Sequence, residues 1–174
     1  MAGDSNSIVA IVDTQTGAAA EAVQSGSITI NGDMKAAASG DVSAITKSGD
    51  ILINGTAAAN AGNVTAQSGG GTITINGSMT SNQNGDVSAM TQDCDVLIND
   101  SVTAVKGNVT AKSANGNVTI GTAAKDGIVM AGLAAALKAV NGNVTVHGNV
   151  TGGTYVTGAP SEGNVNISGS TESQ

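Results

Sequence analysis

A five-residue motif returns along this chain at Gly26 to Ile30, Gly49 to Ile53, Gly71 to Ile75, Cys94 to Ile98 and Gly116 to Ile120, at steps of 23, 22, 23 and 22 residues. A fixed step of this size marks a repeat architecture, in which each unit buries its apolar side only against the units before and after it. Between these motifs a second one returns at the same period, at Gly40 to Ala44, Gly62 to Ala66, Gly85 to Ala89 and Gly107 to Ala111. Two strands per unit therefore advance in lockstep. The wording alternates between Gly-Asp-Val-Ser-Ala and Gly-Asn-Val-Thr-Ala, so the unit of duplication is a two-coil block of 45 residues.

The chain's 174 residues and 40% hydrophobic content suit one domain, but Phe and Trp are absent and Tyr155 is the sole aromatic. Aromatic rings supply much of the buried area in ordinary domains. A fold built without them has to be thin, with small residues stacked on themselves, and an all-β single-chain β-solenoid with coils of about 22 to 23 residues meets that description. The Asn-Gly dipeptides taken alone would signal type I′ hairpins. A hairpin meander, however, has no need for constant spacing.

Aligned on the period, the first strand supplies Ile28, Ile51, Ile73, Val96, Val118 and Val144, then Ile30, Ile53, Ile75, Ile98, Ile120 and Val146 two residues on. Residues two apart share a strand face, so both rows point one way and form a core ladder. The second strand adds Val42, Val64, Val87 and Val109, then Ala44, Ala66, Ala89 and Ala111, then Thr46, Ser68, Thr91 and Ser113, which reads as an internal hydroxyl ladder. A further row runs Met34, Ala57, Met79, Val102, Ala124 and Val150. Asn31, Asn54, Asn76 and Asn99 follow the first strand at the corner, where they form a turn Asn ladder.

The ends depart from this pattern. Residues 1–25 read as an N-terminal apolar strand with an irregular first coil, 26–126 as regular coils, 127–167 as irregular C-terminal coils, and 168–174 as a polar tail. Ile8, Val9, Ala10, Ile11 and Val12 are apolar on both strand faces, which points to a subunit contact. Thr16 to Val23 suits a loose coil or a short helix, and the Ala-rich stretch 132–140 a short helical or loop insertion.

Little in the chain carries chemistry. A net charge of −7 excludes the basic footprint that nucleic acid requires. There is neither an apolar run long enough for membrane insertion nor a secretory signal pattern at Met1. Cys94 stands alone, in a glycine row, so no internal disulfide forms. His147 sits in the Asn row with no nucleophile to serve. Asp93, Asp95 and Asp100 could meet a Ca²⁺ ion, but they read more simply as a solvated acidic edge, and the Asp-bearing calcium nonapeptide is missing. The expectation is no enzyme, no metal and no cofactor. The nine Asn-x-Ser/Thr sequons arise automatically where corner Asn precedes strand Thr.

The Gly-Asn-Val-Thr-Ala and Gly-Thr-Ile-Thr-Ile style over residues 26 to 120 resembles the β-solenoid passengers of filamentous-haemagglutinin-type surface proteins and, more distantly, the polymer-forming bactofilins. The resemblance implies a right-handed β-helix without catalytic residues. The expected location is extracellular or at the cell surface, with a cytoplasmic filament as the alternative because no signal peptide pattern is present. The expected function is a structural protein that stacks head-to-tail on itself. The alternatives are a monomeric adhesin that meets carbohydrate or a cell surface and, as a minor one, an ice-binding protein.

Overall fold

The computed structural model describes residues 8–9, 13–14, 19–23, 26–37, 39–152, 156–158 and 163–173. The chain winds as a β-solenoid in which each full coil contributes three short strands, one to each of three parallel sheets. The first sheet has eight strands: Ile8–Val9, Ile28–Ile30, Ile51–Ile53, Ile73–Ile75, Val96–Ile98, Val118–Ile120, Val144–Val146 and Val165–Ile167. Eight strands also form the second, from Asp13–Thr14 through Met34–Ala36 and Val129–Ala131 to Thr171–Ser173. The third has seven and runs from Ala19–Val23 to Val156–Gly158. Every pairing along the three sheets is parallel and in register, for example Ile73 against Ile51 and Val96, so each row of like residues stacks at the inter-strand spacing of about 4.8 Å.

The period-two alternation fixes which residues enter the core. In Ile73–Ile75 the flanking Ile residues are buried and Thr74 is half-buried, and the same in-out-in pattern repeats around the coil. Ile28, Ile30, Ile51, Ile53, Ile73, Ile75, Val96, Ile98, Val118 and Ile120 are at most 1% exposed, as are Val42, Val64, Val87 and Val109. These rows merge into one cluster that fills the centre of the solenoid, with Ala44, Ala66, Ala89 and Ala111 keeping its cross-section narrow.

Three expectations change. Each coil holds three strands rather than two, because Met34, Ala57, Met79 and Val102 begin separate three-residue strands. The stretch 132–140 is no helix or bulge. Ala135–Ala139 is a strand of the third sheet, paired with Val109–Ser113, and Leu137 takes the Ala111 position in the core. Alanine's helical propensity is a weak prior, and the neighbouring ladder overrides it. The extra residues sit earlier: Val129, not Ala124, stacks on Val102, and residues 122–126 form a small exposed loop closed by the Thr122–Lys125 bridge. At the N-terminal side Ala19–Val23 is a strand on Val42–Thr46, in agreement with the coil reading of that stretch and not with the helical one.

Candidate functional site

With the core closed on itself, the surfaces left for function are the corners, the three outward faces and the two ends. At the corner after the first sheet, the side-chain amides of Asn54, Asn76 and Asn99 each donate to the Oδ1 of the Asn one coil below, at 2.9, 2.8 and 2.7 Å, with Asn31 at the base. The next coil places Gly121 in this row and the one after places His147, so the amide chain stops at Asn99. A second amide ladder runs from Asp93 through Asn115 to Asn141, at 2.9 and 2.8 Å.

Two further Asx rows were not singled out in the sequence. Ahead of the third sheet, the backbone N–H groups of Asn63, Asp86, Asn108 and Ala134 donate to Oδ1 of Asp41, Asn63, Asp86 and Asn108. Ahead of the first, Oδ1 of Asp50, Asp95, Asn117 and Asn143 accepts from the backbone of the following coil. Their sequence signal is the Asx residue between the motif glycine, or Cys94 in its place, and the following Val or Ile. Each side chain there replaces a strand partner at a place where the backbone turns away from the ladder.

The buried hydroxyls form latches, not a ladder. Thr46, Ser68, Thr91 and Ser113 donate to the carbonyls of Gly26, Gly49, Gly71 and Cys94, at 2.7 to 2.9 Å. Each acceptor lies at the start of the donor's own coil. Each hydroxyl gives its proton to this carbonyl and not to a hydroxyl of a neighbouring coil.

The acidic group Asp93, Asp95 and Asp100 is divided among separate interactions. Asp93 and Asp95 serve the ladders above, and Asp100 meets the Lys125 ammonium at 2.7 Å. Among the described residues no three His, Cys, Asp or Glu side chains gather as a metal site. The Lys125 hydrogen bond holds the Asp100 carboxyl below its ordinary value of 3.8, against a smaller opposing effect of burial. A folded-state value below the unfolded one means the contact contributes above that ordinary value and is lost as pH falls through the lower folded one. We therefore expect residues 122–126 to loosen only in strong acid, below pH 3.8. The measurement is a two-dimensional NMR titration of their amides, and a transition near neutral pH would contradict the pairing.

The outward faces are mixed. The first sheet shows Thr29, Leu52, Thr74, Leu97, Thr119 and Thr145, a row interrupted twice by leucine. On the second sheet Ile128 and Met130 are exposed, with Val105 and Leu133 exposed at the adjoining corner. On the third, a shallow dent is lined by Gln67, Gly69, Met90, Gln92 and Lys112.

The C-terminal end differs in kind. Val165 stacks on Val144 in the row whose lower members Ile28, Ile51, Ile73, Val96, Val118 and Val144 are wholly buried, yet Val165 is 41% exposed. Val165–Ile167 and Thr171–Ser173 are each paired on one side only among the described residues. At the opposite end, Ile8–Val9 lies on Ile28–Thr29 as the outermost strand of the first sheet. Ala10, Ile11 and Val12 lie outside the described residues. No protein family, curated protein or solved structure matches this chain.

Proposed function

We propose that the protein is a non-catalytic structural subunit that stacks head-to-tail into a filament. The observation that carries this reading is the exposed top of the Ile/Val row: among the described residues Val165 keeps the position and register of the buried residues beneath it, yet is 41% exposed. A parallel strand edge with an exposed apolar row is a template for another strand of the same kind. A second copy that continues the register sets its Ile8 against Val165, as Ile8 is set against Ile28 within the chain. Such a contact joins two different surfaces and generates an open fibre rather than a closed ring.

The register also brings a cost. Glu172 pairs with Thr151 at the top of the row that Asp13 begins against Lys35, so the junction puts Glu172 and the next copy's Asp13 at neighbouring positions. Like charges on directly opposed strands destabilise pairing. Added salt screens them and strengthens assembly.

The test is sedimentation velocity and negative-stain electron microscopy over a concentration series, at low and high salt. We expect rods that lengthen with concentration and with salt. Val165→Asp combined with Ile167→Asp should leave the circular dichroism spectrum unchanged and abolish lengthening. A wild-type chain that keeps one size at every concentration would overturn the reading and turn attention to the lateral faces.

A further inference from the structure

Asn-Gly serves this fold as a corner dipeptide, but it is also a chemically labile one. With no side chain on the glycine, its backbone nitrogen reaches the asparagine Cγ without obstruction. The chain holds six such pairs: Asn31-Gly32, Asn54-Gly55, Asn76-Gly77, Asn84-Gly85, Asn115-Gly116 and Asn141-Gly142. Five of the six asparagines belong to the two amide ladders. Asn54, Asn76 and Asn115 are held on both sides, the amide nitrogen donating to one neighbour and the carbonyl oxygen accepting from the next. Asn31 is held through its oxygen and Asn141 through its nitrogen. The attacking nitrogen is engaged as well in two pairs, since the Gly77 N–H donates to the Gly55 carbonyl and the Gly116 N–H to Ser113 Oγ.

Asn84 stands apart. It is exposed, at the corner between Met79–Ser81 and Val87–Thr91, and takes part in none of these side-chain hydrogen bonds. The stacking explains why: Gly85 packs between Gly62 and Gly107, and the residues preceding those two are Ala61 and Lys106, so no amide lies above or below Asn84 to extend a ladder.

We propose that Asn84 is a spontaneous deamidation site and that the amide ladders protect the other five Asn-Gly pairs from the same reaction. The Gly85 nitrogen attacks Asn84 Cγ and gives its N–H proton to solvent base; the Cγ–Nδ2 bond then breaks, and the departing nitrogen takes a proton from water and leaves as ammonia. The resulting succinimide is opened by water at either carbonyl, giving aspartate or isoaspartate. No oxidant or reductant takes part. The product adds one negative charge to a chain already at −7, and isoaspartate lengthens the backbone at the corner that joins the second and third sheets. In a ladder residue the attack requires Cγ to turn out of its hydrogen bonds, which slows the reaction.

The test is peptide mapping by mass spectrometry after incubation of the intact folded protein at mildly alkaline pH, following the Asn-to-Asp mass gain at each pair. We expect Asn84 to convert about tenfold faster than Asn54, Asn76 or Asn115, each of which must release two hydrogen bonds. Asn31 and Asn141 should fall between. In urea the six rates should converge, since the dipeptide is the same in each. Asn76→Ser provides the second measurement: by removing the amide between Asn54 and Asn99 it should accelerate conversion of Asn54 in protein that remains folded by circular dichroism. Equal rates across the six pairs in the folded protein, a ladder pair converting first, or an unchanged Asn54 rate in Asn76→Ser would overturn the proposal.

Discussion

Replacing Gly62 with alanine destabilises the protein by about 3 kcal/mol, the upper part of the range for forcing atoms into a packed interior, whereas Gly70→Ala is neutral or slightly stabilising. Gly62 is buried in the row Gly40, Gly62, Gly85 and Gly107, and a Cβ built on it lies 2.2 Å from the Gly40 carbonyl oxygen and 2.6 Å from the carbonyl carbon. Both contacts are backbone of the coil below, so no side chain can swing aside. Relief requires the coils to part, which strains the pairing of Val64–Ser68 with Val42–Thr46. One later coil carries a side chain in this row, at Leu133, and its corner between strands is correspondingly shorter, three residues against four at Gly62.

Gly70 is the contrasting case. It is exposed, the nearest atom to a Cβ is Ser48 Cβ at 4.0 Å, and its φ is not positive. Alanine there restricts the unfolded chain without straining the folded one, worth about 0.5 kcal/mol in favour of folding. Urea denaturation of the two variants, compared at unchanged slope, reads both effects. Equal midpoints for Gly62→Ala and wild type would mean that the coils are not packed at the spacing described.

That glycine contrast also marks where the sequence is legible. The step of 22 to 23 residues exposes the solenoid because every coil closes the same perimeter, and period-two alternation then assigns Ile51 and Ile53 to one side and Leu52 to the other. The third strand was harder to read. Met34–Ala36, Ala57–Ala59 and Val102–Ala104 are three residues long and alanine-rich, too short to show alternation by themselves. Their strand character comes from the partners above and below. The same holds for Ala135–Ala139, whose composition favours helix and whose neighbours impose a strand.

The ladders show a similar division. The Asn31 row is visible as a repeated corner residue, while the Asp41 and Asp50 rows look like exposed acids until the backbone N–H groups they accept from are placed beside them. The hydroxyl row Thr46 to Ser113 is visible, but not its partner, since a carbonyl about 20 residues earlier in the chain becomes near only when the coil closes. For the ends, the sequence marks departures from the repeat without showing how exposed Val165 is.

The in-register core predicts a second large effect that depends on position along the axis. Ile75→Ala should cost about 3 kcal/mol, within the range for truncating a buried aliphatic side chain, while Ile167→Ala should cost less than about 1 kcal/mol, because a partly exposed site gives up less burial. Ile75 is wholly buried and sits between Ile53 and Ile98, so its truncation leaves a void bounded above and below by coils that the glycine rows prevent from closing in. Ile167 continues the same row above Val146 but is only partly buried at the end of the stack, where water fills the space of the lost atoms. Each coil touches only its neighbours, so a central defect weakens two interfaces and a terminal one weakens a single, already open interface. Thermal and urea unfolding of the two variants at low concentration measures this gradient. If the two losses were equal, the central and terminal positions would be packed alike. On the proposed head-to-tail stacking, repeating the comparison at high concentration should raise the cost of Ile167→Ala towards that of Ile75→Ala, because a stacked copy would bury the row that Ile167 continues.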